Sequence, residues 1–469
     1  MPHRYLSIHA HFYQPPREDP FTGNIPYETG AAPFKNWNER IHAECYRPNA
    51  DLRNFEQISF NLGPTLLSWM EQHTPETAQN IVAQDHHNVL LYGVGNAIAQ
   101  AYNHTILPLS SRRDKVTQVA WGIADFTHRF SRRPQGMWLP ETAVDSETLQ
   151  VLAEQGIQFT ILAPWQAAAS NLDVTEPYRV MLSEGRSITI FFYDRELSGK
   201  VSFEPGVTVN ADAFAQDFLQ ARFNPAKLQR GQPQLLLVAT DGELYGHHQR
   251  LRERFLARLV DGASSSIGIQ PIYPALWLKK HPPQQTIQIR EATSWSCHHG
   301  IARWTGDCSC TAGDGAWKRH LRQAFDRLAE RLDELYFDAA HRLVPSPWAL
   351  RDHYIQVLLG KISLDRLIFE LSGSTHASES IQRLGWLLEA QRERQRMFTS
   401  CGWFFDDFDR IEPKNNLAYA ARAVYLVSKV TGVDLSRQVM ADLQFVVSPR
   451  TRLRADQLFK HQLERAFKL

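Results

Sequence analysis

The sequence lacks any window of the roughly twenty apolar residues that a membrane span requires, so a bilayer is not expected as its solvent. It lacks a surplus of charge. Lys and Arg number 51 against 50 Asp and Glu, for a formal charge of +1, which leaves no field for a polyanion and argues against nucleic acid as a partner. Cysteines are few and odd in number, five in all (Cys45, Cys297, Cys308, Cys310, Cys401), a pattern of reduced thiols in a cytoplasmic protein rather than of a disulfide frame. The opening stretch MPHRYLSIHAHFYQPPRED has no apolar run of signal-peptide length. Internal repeats and low-complexity tracts are also missing.

What is present is a long, ordinary globular composition. With 469 residues, 43% of them hydrophobic, the chain exceeds one compact core and should divide into two or three parts, a large α/β barrel among the options. Twelve Trp and 14 Tyr provide flat faces suited to sugar rings, although most such residues fill cores.

The first 290 or so residues alternate β-type runs with helical patterns, as a parallel α/β architecture demands. GMWLPE (136–141) reads as a strand entering a loop. DSETLQVLAEQG follows as a helix, with Ser146 as its cap, Leu149, Leu152 and Ala153 on its apolar face, and Gly156 ending it. IQFTILAP (157–164) is the next parallel strand. SITIFFY (187–193) and QLLLVATDGE (234–243) are further strands, the second apolar enough to be buried on both faces. Residues 291–316, including SWSCHHGIARWTGDCSCTAGDG, form a Trp-, Cys- and Gly-rich connector. From 317 to 469 the pattern turns helical. Leu321, Phe325, Leu328, Leu332 and Leu335 share one face, and further helices are expected near 350–372, 380–398, 415–431 and 436–467.

Three runs place unusual polar groups at strand ends, where parallel barrels build their active sites. In the first strand Leu6, Ile8 and Ala10 point one way and Ser7, His9 and His11 the other. Such a His-x-His pair can be half of a metal site, or can donate hydrogen bonds to hydroxyls or a carboxylate. Glu141 follows a strand and a Pro, with Trp138 nearby. Asp241 directly follows the apolar run LLLVAT, where a charge is costly without partners or work. Taken singly, Glu141 is an ordinary loop glutamate and Asp241 a helix-capping aspartate. Together they suggest glycoside cleavage, which needs one protonated and one ionised carboxyl about 5–5.5 Å apart if configuration is retained.

These runs, in this order, resemble glycoside hydrolase family 57. HAHFYQP is similar to the family's first region, matching His9, His11, Gln14 and Pro15. AYNHTILPL resembles the stretch that carries a further His, here His104. GMWLPE is similar to the nucleophile region and ATDGELYGHH to the acid/base region, and FFYDRELSG resembles a segment lining the cleft. SCGWFF, with Trp403, looks like the last region, and SWSCHHGIARW resembles a substrate-covering Ser-Trp segment, here with Trp295.

The resemblance implies an incomplete (β/α)7 barrel, TIM-like, with a C-terminal α-helical domain that completes the cleft. It implies Glu141 as nucleophile and Asp241 as acid/base. His9, His11, His104, Trp138, His247, Trp295 and Trp403 are the implied substrate-binding residues. The substrate would be an α-glucan or maltooligosaccharide, split or transferred with retention, without cofactor or metal.

The chain departs from the family pattern in three places. Gly95-Asn96 is followed by Ala97 and Ile98 where a Glu is frequent, Phe12-Tyr13 separates His11 from Gln14, and the connector is Cys-rich. Two rival readings stay open. In a metal-dependent deacetylase or mannosidase, His9, His11 and Asp241 would ligate a metal, and Cys297, His298, His299, Cys308 and Cys310 could hold zinc despite irregular spacing. The other rival is a non-catalytic glucan-binding protein. Oligomeric state, linkage, chain length and the choice between hydrolysis and transfer are not encoded legibly.

Overall fold

The computed structural model describes residues 3–468, and the chain divides into two compact units. The first comprises residues up to Pro16, Tyr27–Ala101 and Phe126–Trp295; the second comprises Arg17–Pro26, Tyr102–Asp125 and Ser296–Leu469. The second unit thus gathers two short early segments besides the C-terminal region.

The first unit is mixed α/β. Its strands are β1 (Arg4–Phe12), β2 (Ser59–Leu62), β3 (Ala99–Gln100), β4 (Met137–Trp138), β5 (Phe159–Leu162), β6 (Tyr178–Met181), β7 (Ser187–Phe192), β8 (Gln234–Asp241), β9 (Gln270–Pro271) and β10 (Gln285–Thr286). β1 pairs in parallel with both β2 and β8. The neighbour relation continues from β2 to β3 through a parallel bridge between Phe60 and Ala97, then from β3 to β4. A bridge between Gly136 and Phe159 joins β4 to β5, and β5 pairs in parallel with β7. Beyond β7 the Asp194 N–H donates to the Leu237 carbonyl of β8 at 2.7 Å. β6 is a departure from this run, antiparallel to β7 and capped by the short β10.

Alternation along the strands sets which side chains meet. Tyr5 of β1, Phe159 and Ile161 of β5, Phe191 of β7, and Leu235, Leu237 and Ala239 of β8 pack in one buried cluster with Trp138 and Trp277. Stepping two residues further along the same faces leads from Tyr5 through Ser7 to His9 and His11, and from Ala239 to Asp241. The polar groups at the strand ends are therefore the continuation of the core, not a separate patch.

The expected helix after β4 is present over Ser146–Glu154, but its cap is Asp145, whose side chain accepts from the Thr148 N–H at 2.7 Å; this corrects the assignment of Ser146. Ser146 is the first helical residue and bonds Glu291 instead.

In the second unit the helix Ala316–Ala340 buries Leu321, Phe325, Leu328 and Leu332, with Tyr336 rather than Leu335 closing the face. The helices Ser378–Arg396 and Ile411–Thr431 pack on one another. Two expected helices are interrupted. The region 350–372 breaks after Leu358 at Gly360 (φ +66°), and 436–467 divides into Ser436–Leu443 and Ala455–Ala466 around Pro449, which cannot continue a helical ladder. No helix among the described residues is long and apolar enough to cross a membrane.

Candidate active site

The carboxyl ends of β1, β2, β3, β4 and β8 carry the polar cluster. Parallel register sets His11 beside Asn61 of β2 on one side and Asp241 of β8 on the other. His9 is fully buried; its Nδ1 shares a 2.9 Å hydrogen bond with Ser59 Oγ, and its Nε2 faces Asn61 Oδ1 at 3.3 Å. A nitrogen facing a carbonyl oxygen must be the donor, so a neutral His9 accepts from Ser59 through Nδ1. Asn61 Nδ2 donates to His11 Nδ1 and to Gln100 Oε1, each at 2.9 Å. Burial, and for His9 the neighbouring His11, push the two imidazoles down to about 3 and about 4 respectively, so both are uncharged at neutral pH.

Trp138 is enclosed, and its indole stacks on both rings, with centroids 4.8 Å from His9 and 5.0 Å from His11. Trp138 also meets Trp295 edge to face at 5.1 Å. Trp295 is half-buried and reaches Glu141 twice: its indole N–H donates to Oε2 at 3.0 Å and its backbone N–H to the Glu141 carbonyl at 3.0 Å.

Glu141 itself sits in a backbone form that side-chain-bearing residues seldom adopt. Its φ is +58° and that of Thr142 is +49°, two successive left-handed residues with no glycine between them. Surrounding bonds hold the turn. Thr142 Oγ1 donates to Gln166 Oε1, and Gln166 Nε2 returns a bond to the Thr142 carbonyl, both at 2.8 Å.

Asp241 ends β8. Its side chain is solvent-accessible, yet the surrounding protein withdraws enough water to be the main cause of a rise in its pKa to about 8, with the charges of Glu243 and then Glu141 adding to it. The turn after it forms no side-chain cap, which removes the helix-capping reading of Asp241. Gly242 follows because a Cβ there would lie 2.3 Å from the Phe12 ring.

Glu243 is a third acid, and sequence reasoning missed it. It is buried, accepts from the Tyr46 hydroxyl at 2.7 Å and from the Tyr13 N–H at 3.1 Å, and is pushed up to about 7, chiefly by burial. Its one sequence signal is a second acid two residues past the end of an apolar strand.

The other expected residues make contacts of their own. His247 Nδ1 pairs with Glu44 Oε2 at 2.5 Å. His104, at φ +53°, bonds Ser400 Oγ at 2.6 Å within the second unit. Trp403 is buried in that unit against Phe325 and Phe398, its indole donating to the Lys318 carbonyl. Among the described residues, metal-ligating side chains converge in one group of three or more, Cys297, His299, Cys308 and Cys310; His9, His11 and Asp241 form no such group.

Residues 6–290 match the model described as glycosyl hydrolase family 57, and residues 314–462 match a domain of unknown function, DUF3536. Among curated proteins, a 4-alpha-glucanotransferase of Thermococcus litoralis is 22% identical over 36% of this chain and 25% of its own length. An alpha-amylase of Pyrococcus horikoshii is 21% identical over 55% of this chain and 40% of its own. The chain thus spans between a quarter and two-fifths of these relatives.

Among solved structures, a maltose-forming amylase of Pyrococcus sp. ST04 superposes with a TM-score of 0.77 at 14% identity, covering 94% of this chain and 82% of that one. A branching enzyme of Pyrococcus horikoshii gives 0.61 at 15% identity, covering 99% and 94%. At such identities these likenesses speak to the fold.

Proposed function

The chain belongs to glycosyl hydrolase family 57, and from that premise we propose that it cleaves or transfers α-glycosidic bonds of an α-glucan with retention of configuration. Glu141 is the nucleophile and Asp241 the acid/base. The observation that carries this reading is a carboxyl that keeps its proton beside a second carboxyl close enough to affect it. Asp241 holds its proton to about pH 8, partly because Glu141 stands near enough to repel a second charge, while Glu141 is met by an indole N–H suited to a carboxylate.

In the first step a Glu141 oxygen bonds to the anomeric carbon as the glycosidic C–O bond breaks, and the Asp241 proton passes to the leaving oxygen. In the second, Asp241 takes a proton from water or from an acceptor sugar hydroxyl, whose oxygen displaces Glu141 from the carbon. Both carboxyls return to their starting states. Neutral His9 and His11 hold Trp138 beneath Trp295, and so position the group that holds Glu141. A matching inference concerns the first unit, read as an incomplete (β/α)7 barrel of β1, β2, β3, β4, β5, β7 and β8. Its support is the run of neighbour contacts that passes from β1 through β7 and, by the Asp194–Leu237 bond, to β8.

The test is chemical trapping. A rapidly quenched reaction with maltooligosaccharide should give a hexosyl ester on the peptide containing Glu141. Glu141→Gln and Asp241→Asn should each lose several orders of magnitude in turnover. Asp241→Asn should keep the first step on an aryl glucoside, whose leaving group needs no proton. Full activity in either variant, or glucan retained without change of chain length or branching by the native protein, would remove the assignment.

A further inference from the structure

We propose that Cys297, His299, Cys308 and Cys310 form a structural zinc site in the second unit. Their ligand atoms, three thiol sulfurs and an imidazole nitrogen, all lie within 4.8 Å of one another. Cys297 Sγ and Cys308 Sγ are 3.5 Å apart, and His299 Nδ1 is 3.2 Å from Cys308 Sγ and 3.5 Å from Cys310 Sγ. With Zn–S near 2.3 Å and Zn–N near 2.0 Å, tetrahedral geometry separates sulfur pairs by about 3.8 Å and sulfur from nitrogen by about 3.5 Å. The four groups therefore already stand close to the corners that one ion would impose. A disulfide needs sulfurs at about 2.05 Å, and all of these cysteines are free thiols.

The loop is built around the cluster. Between Cys297 and Cys310 its one regular element is the three-residue turn Ala302–Trp304. Its backbone bonds are local turn bonds, such as the Gly300 N–H to the Cys297 carbonyl at 3.2 Å and the Thr311 N–H to the Cys308 carbonyl at 3.0 Å. Arg303 draws its two ends together, Nη2 donating to the Ser296 carbonyl at 2.8 Å and the Cys310 carbonyl at 2.9 Å. The His298 N–H donates to Cys310 Sγ at 3.3 Å, the outer-shell contact that steadies a thiolate ligand. His298 thus serves through its backbone while His299 supplies the imidazole, a distinction the spacing Cys-His-His-x8-Cys-x-Cys does not make. Cys297 and Cys308 are buried, so the ion would be shielded on that side.

Chemistry narrows the ion. Thiolates with one imidazole in a tetrahedral array favour zinc over magnesium or calcium, which prefer oxygen. Four protein ligands leave no position for water or substrate, which makes the role structural. Cys297 stands two residues after Trp295, so the ion would anchor the chain directly beyond the residue that holds Glu141. The site does not depend on the proposed sugar chemistry.

The decisive measurement is made on the full-length protein, purified without chelator. Elemental analysis should find about one zinc per chain, and X-ray absorption at the zinc edge should find three sulfurs near 2.3 Å and one nitrogen near 2.0 Å. Cys308→Ser and Cys310→Ser should each lower zinc content tenfold or more, whereas Cys401→Ser should retain it. If the first two variants do not fold, the absorption spectrum of the native chain decides alone. Less than about 0.1 zinc per chain even after incubation with the ion and dialysis, a Cys297–Cys308 disulfide found by mass spectrometry, or a shell of oxygen and nitrogen alone would overturn the proposal.

Discussion

The indole nitrogen of Trp295 lies 3.0 Å from Glu141 Oε2, and the same residue's backbone N–H lies 3.0 Å from the Glu141 carbonyl. One residue thereby fixes both the side chain and the peptide of the proposed nucleophile. Since attack requires an oxygen aimed along the C1 axis, loss of the indole donor should be felt in the chemical step more than in binding.

Trp295→Phe keeps an aromatic ring against Trp138 and Tyr193 but removes the donor. Turnover on maltooligosaccharides should fall by about tenfold to a hundredfold with KM little changed. Steady-state kinetics with a melting curve as control measure this, and an unaltered kcat would show that Glu141 is oriented by other contacts.

The acid limb of the reaction depends on Asp241 staying protonated. Activity should decline as pH rises through about 8, where that proton is lost. Of the two charges that raise it, Glu243 is the larger contributor. Glu243→Gln can still accept from Tyr46 and Tyr13, yet it carries no charge. The Asp241 pKa should therefore drop and the alkaline limb of kcat/KM should move to lower pH. A limb that stays in place or moves upward would exclude Glu243 from this role.

Asp114 anchors the second unit. It pairs with Arg351 at 3.0 Å and Arg394 at 2.8 Å, and Gln395 donates to it at 2.9 Å. Burial alone would raise its pKa, but Arg394 and then Arg351 overrule that and hold it well below the usual carboxylate range. A lowered folded pKa means stability that is fully present above the unfolded value of about 3.9 and lost as pH falls toward the folded one. Asp114→Asn leaves two buried guanidinium groups short of a counter-charge and should cost about 3–5 kcal/mol at pH 7. Denaturant unfolding reads the loss, and the variant should show a shallower decline in stability below pH 4 than the native chain.

Legibility in the sequence followed the range of the interaction. The alternation that sets His9 and His11 on one face, and the unbroken apolar run ending in Asp241, are local patterns, and both strands form as read. Asp241 could be picked out because it breaks a regular apolar run. Glu243 could not, because its bonds come from Tyr13 and Tyr46, about two hundred residues away. Nor does the string around Trp403 tell an interior indole from an exposed one; its packing on Phe325 and Phe398 depends on the helix Ala316–Ala340 and on the turn after Ser378–Arg396. The cap of the helix after β4 was misread by one residue because Asp145 and Ser146 are both good caps, and the difference lies in which has extended backbone (Asp145, φ −140°, ψ 167°).

The paired left-handed residues Glu141 and Thr142 bear on any attempt to make this protein more heat-tolerant. A branched side chain at φ +49° is an unfavourable occupant, and glycine there would relieve about 1 kcal/mol of local conformational energy. Thr142 is fully buried, however, and its hydroxyl bond to Gln166 offsets a gain of that size, so selection for heat tolerance alone should leave threonine at position 142. Glycine would keep the Gln166 bond to the backbone carbonyl but lose the hydroxyl half of the clasp beside Glu141, so the strained turn and the carboxylate it presents are retained together.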